Sequence, residues 1–460
     1  MTTLELINPA TAEPFQTIPA ATVEQVDDAV ALAASAQRGW SLLAPAARAE
    51  HLRQFAVTVK AHAEELAQLE VLNSGHPIGN ARWEANHVVD VLTYYSAAPE
   101  RMIGKQIPVA GGIDVTFLEP YGVVGVIVPW NFPMTIAAWG FAPALAAGNA
   151  VIVKPAEWTP LTALRLAELA LEAGLPPGLF QVLAGEGAVV GERLVSHPGV
   201  RKIVFTGSTA TGSRVMSLAA RQVKPVTLEL GGKSANIIFA DADLEKAAAS
   251  APGAVFDNSG QDCCARSRIL VQRSVYDRFL ELLEPAVKAV TVGLPGDEST
   301  EMGPLVARAH YDKVASYVPD DRQVAFRGTA PDGPGFWFAP TVLIPDSRDD
   351  RICSEEIFGP VVAVTSFDGY DDAISIANDT LYGLGAGVWS RNGNTAYRAG
   401  RDIQAGRVWV NNYHAYPAGA AFGGYKSSGI GRENNRLALD HYQQTKNLLV
   451  SYSDSALGFF

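Results

Sequence analysis

Thiols are scarce in this chain: 460 residues contain three cysteines, and two of them stand side by side at Cys263 and Cys264. So few exclude a disulfide framework, and no Cys-x-x-Cys or His-x-x-x-His spacing offers a zinc cage, so no metal is expected. Charge is thin as well. Charged residues make up 18% of the chain, and 36 Lys plus Arg against 48 Asp plus Glu leave a net −12 with no basic run. That balance excludes a nucleic-acid or anionic-membrane surface. Long apolar runs are missing too. The two most apolar stretches, 122–128 and 141–153, are broken by Trp130, Asn131, Pro133 and Asn149 before they reach the roughly 20 residues a membrane span needs. The opening MTTLELINPATAEP has neither a basic n-region nor an apolar h-region, so a cytoplasmic location with reduced thiols is expected.

What the chain does contain is alternation. Its length suits two or three domains, and 48% apolar residues suit an ordinary globular protein with large cores. From 21 to 97 the apolar positions recur at helical spacing. A break at Gly111-Gly112 marks a hairpin over 107–122, a candidate arm for another subunit's sheet. Strands then alternate with helices: strands at 123–128, 150–153, 180–183, 202–205 and 226–230, helices at 135–147, 161–173, 189–196 and 211–220. The pattern restarts after Gly231-Gly232, with strands at 234–240, 268–272, 338–343, 361–367, 384–389 and 406–411 and helices at 243–258, 275–292 and 371–378. Short apolar strands alternating with helices predict α/β architecture with two doubly wound domains, whose ligands sit beyond the carboxyl ends of the strands. The closing run, with Phe459-Phe460 at its end, is expected to pair with the early hairpin across an interface.

Several residues have types and surroundings suited to chemistry. A thiol attacks only as a thiolate, which needs a base and a group to hold the oxyanion. Cys263 and Cys264 precede an apolar strand, so alternation turns them opposite ways, one toward a cleft and one into packing. Glu229, between two Leu at a strand end, is either a carboxylate tuned toward a base by burial or a strand-end glutamate in water. The GGKS that follows is no phosphate loop, because Thr227 stands where that motif needs Gly. Asn131 in PWNFP is either an oxyanion donor or a structural turn residue. Gly207, Ser208 and Gly212 lie between a strand and a helix, where helix N–H groups favour a pyrophosphate and Ser208 is the cap. Lys154 and Glu157 follow another strand end, suited to ribose hydroxyls or to solvated loop charges before a helix capped by Thr159 with Pro160 first.

Together these segments resemble the NAD(P)-dependent aldehyde dehydrogenase superfamily over essentially the whole chain. Seven motifs occur in the family's order: PWNFP at 129–133, VKPAE at 153–157, FTGST at 205–209, LELGGKS at 228–234, GQDC at 260–263, EEIFGP at 355–360 and FGGYKSSGIGRE at 422–433. The resemblance implies a Rossmann-like NAD-binding domain from 1–101 and 121–231, a catalytic domain from 232–427, and a small β oligomerisation arm from 102–120 and 443–460. It implies that Cys263 attacks an aldehyde, Asn131 stabilises the oxyanion, and Glu229 activates the water that hydrolyses the thioester, with Glu433 relaying protons. Cofactor contacts implied are Ile127, Trp130, Lys154, Glu157, Gly187, Gly207, Ser208, Gly212, Glu356 and Phe358. Glu157 would repel a 2′-phosphate, so NAD is favoured over NADP. Phe132, Trp139, Asp262, Tyr416 and Phe422 match the substrate tunnel. The aromatics suit an apolar or aromatic aldehyde, whereas Asp262 suits a cationic aminoaldehyde. Two positions depart from the family, Gly140 where many relatives have Lys and Ala421 before FGG where Pro is frequent.

The expected partners are a small-molecule aldehyde and other copies of the chain, as a homodimer or homotetramer, with no nucleic acid and no membrane. Other readings are a CoA-acylating semialdehyde dehydrogenase, a catalytically silent binding or structural relative, and a Cys-His-Asn hydrolase, for which the eight His offer no motif partner to Cys263.

Overall fold

A computed structural model describes residues 2–454; Phe459-Phe460 therefore lie outside the described residues. The chain opens with a hairpin of β1 (Thr3–Asn8) and β2 (Glu13–Pro19). Four helices follow, α1 (Val23–Leu42), α2 (Pro45–Ala61), α3 (Ala63–Ser74) and α4 (Ile78–Ser96). Thr22 and Gln25 close a reciprocal capping box on α1, which satisfies two N-terminal backbone donors. After β3 (Gln106–Ile107) and β4 (Gly112–Pro120) come β5 (Val123–Ile127), α5 (Pro133–Ala146), β6 (Ala150–Lys154), α6 (Leu161–Glu172), β7 (Phe180–Val182), α7 (Glu192–Ser196), β8 (Val200–Thr206), α8 (Thr209–Ala220) and β9 (Val226–Glu229). The second series is β10 (Ala235–Ile238), α9 (Leu244–Phe256), β11 (Arg268–Gln272), α10 (Tyr276–Lys288), α11 (Arg308–Ala315), β12 (Phe326–Arg327), β13 (Thr341–Leu343), α12 (Arg351–Ser354), β14 (Val361–Phe367), α13 (Tyr370–Asn378), β15 (Gly385–Trp389), α14 (Gly393–Asp402) and β16 (Arg407–Val410). The chain closes with β17 (Gly429–Ile430), α15 (Asn435–Asp440) and β18 (Gln443–Ser451).

Two large sheets result, in the orders β17-β9-β8-β5-β6-β7 and β12-β13-β14-β11-β10-β15-β16. Each winds outward in both directions from its first strand, β5 or β10, so each has a switch point where ligands are expected to bind. Pairing is parallel except at β17 and β12. Every residue of β5 and β6 is buried, because helices cover both faces, and the strands accordingly read as unbroken apolar runs rather than alternating ones. All 14 residues of α5 are buried, which accounts for the chain's most apolar helix. Gly140 is forced by this packing: a Cβ there would lie 2.6 Å from Val126 Cγ1, so the Lys of many relatives does not fit without moving β5.

The structure differs from the sequence expectation in several places, among them helices α11 and α14, where none was expected. The N-terminal hairpin is new: Leu4 and Leu6 alternate inward and pack with Ile18, Leu161 and Ala184, in a run too short to separate from coil by periodicity. Pro160, not Thr159, is the N-cap of α6, and no side chain caps it; Thr159 Oγ1 donates to the Trp130 carbonyl instead. The closing run β18 pairs antiparallel with β4 of the same chain, from Gln443↔Pro120 to Ser451↔Gly112. Cys263 and Cys264 do not begin a strand; they lie in a turn before β11.

Candidate active site

The loop that carries Cys263, 257–267, connects α9 to β11. Asn258 (φ 49°), Ser259 (φ 58°) and Gly260 (φ 70°) are all left-handed, a costly backbone for the first two. Side chains hold it. Asn258 Nδ2 donates to the Asn131 carbonyl at 2.7 Å, Ser259 Oγ to the Gly303 carbonyl at 2.7 Å, and Gln261 Oε1 accepts from Val306 N at 2.9 Å. Position 260 admits only Gly, since a Cβ would lie 2.2 Å from the Gly359 carbonyl. Asp262 Oδ1 then accepts from Cys264 N at 2.9 Å, a tight side-chain turn in which the two thiols stay in contact. Cys264 is fully buried, and Cys263 borders open space.

Two cavities meet at Cys263. One, of ≈ 210 Å³, brings together all five residues assigned to a substrate tunnel, Phe132, Trp139, Asp262, Tyr416 and Phe422. Trp139 packs on Phe422 at 5.0 Å between ring centroids. The same cavity is lined by Asn80, Trp83, Asp257, Tyr413 and His414, which sequence reasoning missed. Tyr413 and His414 sit between two segments already singled out; Asn80, Trp83 and Asp257 carry no motif. The other cavity, of ≈ 300 Å³, is lined by Trp130, Asn131, Gly207, Ser208, Glu356 and Phe358, with Lys313 and His310 from the unforeseen α11. A wider cleft of ≈ 900 Å³ shares Ser208, Lys313 and Glu356 with it but does not reach Cys263.

The polar groups around the thiol are strongly perturbed. A hydrogen bond with Cys264, burial and the Asp262 charge all push the Cys263 thiol up, so it rests protonated and needs a base. Glu229 ends β9, buried, with both carboxylate oxygens unpartnered. Burial first, and then the charge of Glu433, push it well above the usual carboxylate range, as suits a base working near neutrality. A Cβ at Gly423 (φ +149°) would lie 2.6 Å from Glu229 Oε1, so the second Gly-Gly pair, 423–424, makes room for the carboxylate. Glu433 is buried and borders neither cavity; burial pushes it up to about 8, with Lys202 opposing. Asn131 Nδ2 donates to the Gln261 carbonyl at 2.9 Å. Its amide is thereby fixed on the loop that carries Cys263 with a second N–H to spare, as an oxyanion donor requires.

The cofactor candidates divide into two groups. Trp130, Gly207, Ser208, Glu356 and Phe358 line the ≈ 300 Å³ cavity. Ser208 caps α8 by accepting from Thr211 N, which leaves first-turn N–H groups for an anion. Gly232 N donates to Glu356 Oε1 at 2.7 Å, and a Cβ at Gly231 would lie 2.5 Å from Glu356 Oε2, so the Gly-Gly pair after β9 seats that carboxylate. Beyond the end of β6, Glu157 Oε1 accepts from Lys154 Nζ at 2.8 Å and Gly187 N at 2.5 Å. This second group lies outside the cavity. Ile127 is buried at the end of β5, and Gly212 serves packing, since a Cβ there would lie 2.4 Å from Leu230 Cδ2; neither borders the cavity.

Comparison with known proteins gives a consistent result. The model of the aldehyde dehydrogenase family matches residues 1–448. A probable aldehyde dehydrogenase of Mycobacterium tuberculosis is 48% identical, covering 98% of this chain and 92% of its own length. The fluoroacetaldehyde dehydrogenase of Streptantibioticus cattleyicolor is 46% identical over the same shares. Among solved structures, betaine aldehyde dehydrogenase from Staphylococcus aureus in complex with NAD+ superposes with a TM-score of 0.96 at 37% identity, covering 100% of this chain and 93% of that one. An NAD+ complex of an aldehyde dehydrogenase from Bacillus cereus has a TM-score of 0.96 at 40% identity, covering 98% and 94%.

Proposed function

The chain belongs to the aldehyde dehydrogenase family, and from that premise we propose that it oxidises an aldehyde to the carboxylic acid with NAD, through a covalent intermediate on Cys263. The observation that carries this reading is the meeting of two cavities at one thiol, an aromatic one for the aldehyde and one bordered by the α8 N-terminus and Glu356 for the cofactor. The residues of the second cavity fit part of a dinucleotide, since helix N–H groups at α8 suit phosphate and Glu356 suits ribose hydroxyls; Glu157, outside the cavity beyond β6, disfavours a 2′-phosphate. NAD, when bound, supplies the hydride acceptor.

The chain's own residues supply the rest. Cys263 gives its proton to solvent water, its sulfur bonds to the carbonyl carbon, and the carbonyl electron pair moves to oxygen, where the Asn131 amide holds it. Once the thiohemiacetal has been oxidised to the thioester, Glu229 takes a proton from water, which attacks the acyl carbon and releases the acid and the thiol. In a CoA-acylating enzyme an external thiol would replace this water. The buried, unpartnered Glu229 favours hydrolysis. The test is NADH formation with a panel of aliphatic, aromatic and amino aldehydes, with NAD and with NADP. We expect turnover without CoA and a higher kcat/KM with NAD; strict dependence on CoA would overturn the hydrolytic reading.

The paired acids set a pH dependence. Glu229 must ionise to act, so the deacylation rate rises with pH. Above about pH 8 Glu433 also carries charge and opposes that ionisation. Glu433→Gln should therefore move the ascending limb of the kcat profile to lower pH; an unmoved limb shows that Glu433 does not couple to the base.

The three-stranded β18-β4-β3 arm leaves Phe117, Leu448, Leu449 and Val450 exposed. Such a patch beside the open edge of β18 suits association of copies into a homodimer or homotetramer. Among the described residues no helix is long and apolar enough to cross a membrane, and a cytoplasmic location fits this reading.

A further inference from the structure

The aldehyde cavity contains two carboxylates, Asp257 and Asp262, and on charge alone it would recruit a cationic substrate. The geometry says otherwise. One oxygen of each carboxylate is hydrogen-bonded within the protein. Asp257 Oδ1 accepts from Asn80 Nδ2 at 2.5 Å, and Asp262 Oδ1 accepts from Cys264 N at 2.9 Å. The two remaining oxygens flank one imidazole: Asp257 Oδ2 lies 3.7 Å from His414 Nδ1, and Asp262 Oδ2 lies 3.2 Å from His414 Nε2. The ring thus stands between the two carboxylates with one nitrogen turned toward each.

The seat is built rather than incidental. His414 has φ +32°, a left-handed backbone that a side chain of this kind adopts only when its surroundings fix it. Its ring stacks on Tyr413 at 4.0 Å between centroids, and its side chain is 7% exposed. Behind Tyr413 lies the fully buried Arg266, whose guanidinium covers the Tyr413 and Trp409 rings at 5.7 and 5.0 Å. The charged and titratable groups around the imidazole are thus Asp257, Asp262, Tyr413, Tyr416 and Arg266.

We infer that His414 is a specificity-determining residue: by bridging Asp257 and Asp262 it withdraws both carboxylates from the substrate, so the cavity takes an uncharged, apolar or aromatic aldehyde rather than an ammonium aldehyde. This deepens the dehydrogenase reading and rests on it. An ammonium group entering the cavity finds the aromatic faces of Trp83, Trp139 and Tyr416, which serve an uncharged chain equally well, and two carboxylates whose outer oxygens are covered by the His414 ring.

The test uses two isosteres, (trimethylammonio)acetaldehyde and 3,3-dimethylbutanal, which differ only in nitrogen against carbon. The wild-type chain should favour the neutral aldehyde in kcat/KM by about tenfold or more. His414→Asn uncovers the acid pair and should move the ratio toward the ammonium aldehyde by about tenfold or more; Asp257→Asn, which leaves His414 in place, should move it the other way. Wild-type preference for the ammonium aldehyde would overturn the inference. So would a ratio unchanged in His414→Asn, or, if that variant does not fold, unchanged in Asp257→Asn. No NADH from either aldehyde with the wild-type chain would instead bring down the dehydrogenase reading itself.

Discussion

Replacing Cys263 with Ala is expected to eliminate NADH formation from every aldehyde, a loss of at least about 10⁴-fold, as removal of a covalent nucleophile commonly is. The neighbouring thiol cannot take over. The Asp262 turn sends Cys264 into the core, where a Cβ on Gly385 would lie 3.4 Å from its sulfur, and Cys264 borders neither cavity. Cys264→Ala should therefore retain the reaction while lowering the melting temperature, because it leaves a small void in a fully buried position. Steady-state NADH formation by the two variants separates the thiols. Activity retained in Cys263→Ala would remove the nucleophile assignment.

Glu229→Gln should give the second large effect, and a different kind of failure. The amide keeps the shape of the side chain but takes no proton from water, so the first turnover proceeds and hydrolysis stalls. A stopped-flow trace should show a burst of NADH approaching one per active chain, followed by a steady-state rate roughly 10²–10⁴-fold below wild type. The two unpartnered oxygens of Glu229 are the reason to expect this. They have no structural bond to lose, so the variant should fold, and removing a charge that burial penalises should add to stability in the range where wild-type Glu229 ionises. The sign is consistent: a carboxyl raised in the folded state costs stability as pH climbs through its shifted range. Loss of the burst together with the steady state would mean that Glu229 acts before the thioester forms.

How far the sequence foretold this arrangement depends on the distance over which each residue acts. β5, β6 and β8 were legible because burial on both faces writes a continuous apolar run. GQDC, LELGG and PWNFP were legible because each builds its local backbone: Gly260 admits no Cβ, Gly231 and Gly232 seat Glu356, and Asn131 is tied to the loop at 258–261. Cys264 is buried and Cys263 borders the cavities, as expected of a cleft thiol beside a packing one, but they sit in a turn with their sulfurs in contact rather than on opposite faces of a strand. Asp262 was singled out for its charge, but the residue that faces it was not foreseen. Its partner His414 is 152 residues later, since 414 − 262 = 152, and no local pattern reports a contact made by folding. Asn80, Trp83 and Asp257 escaped notice for the same reason. The Gly140 departure had no sequence rationale; it needed the 2.6 Å approach to Val126.

The account stands on a covalent acyl group at one sulfur, and mass spectrometry of Glu229→Gln reads it directly. After mixing with NAD and 3,3-dimethylbutanal, rapid acid quench and proteolysis, one acyl group per chain should appear on the peptide containing 263 and 264, and fragmentation should place it on Cys263. An adduct on Cys264, or a full burst of NADH with no adduct on the chain, would contradict it.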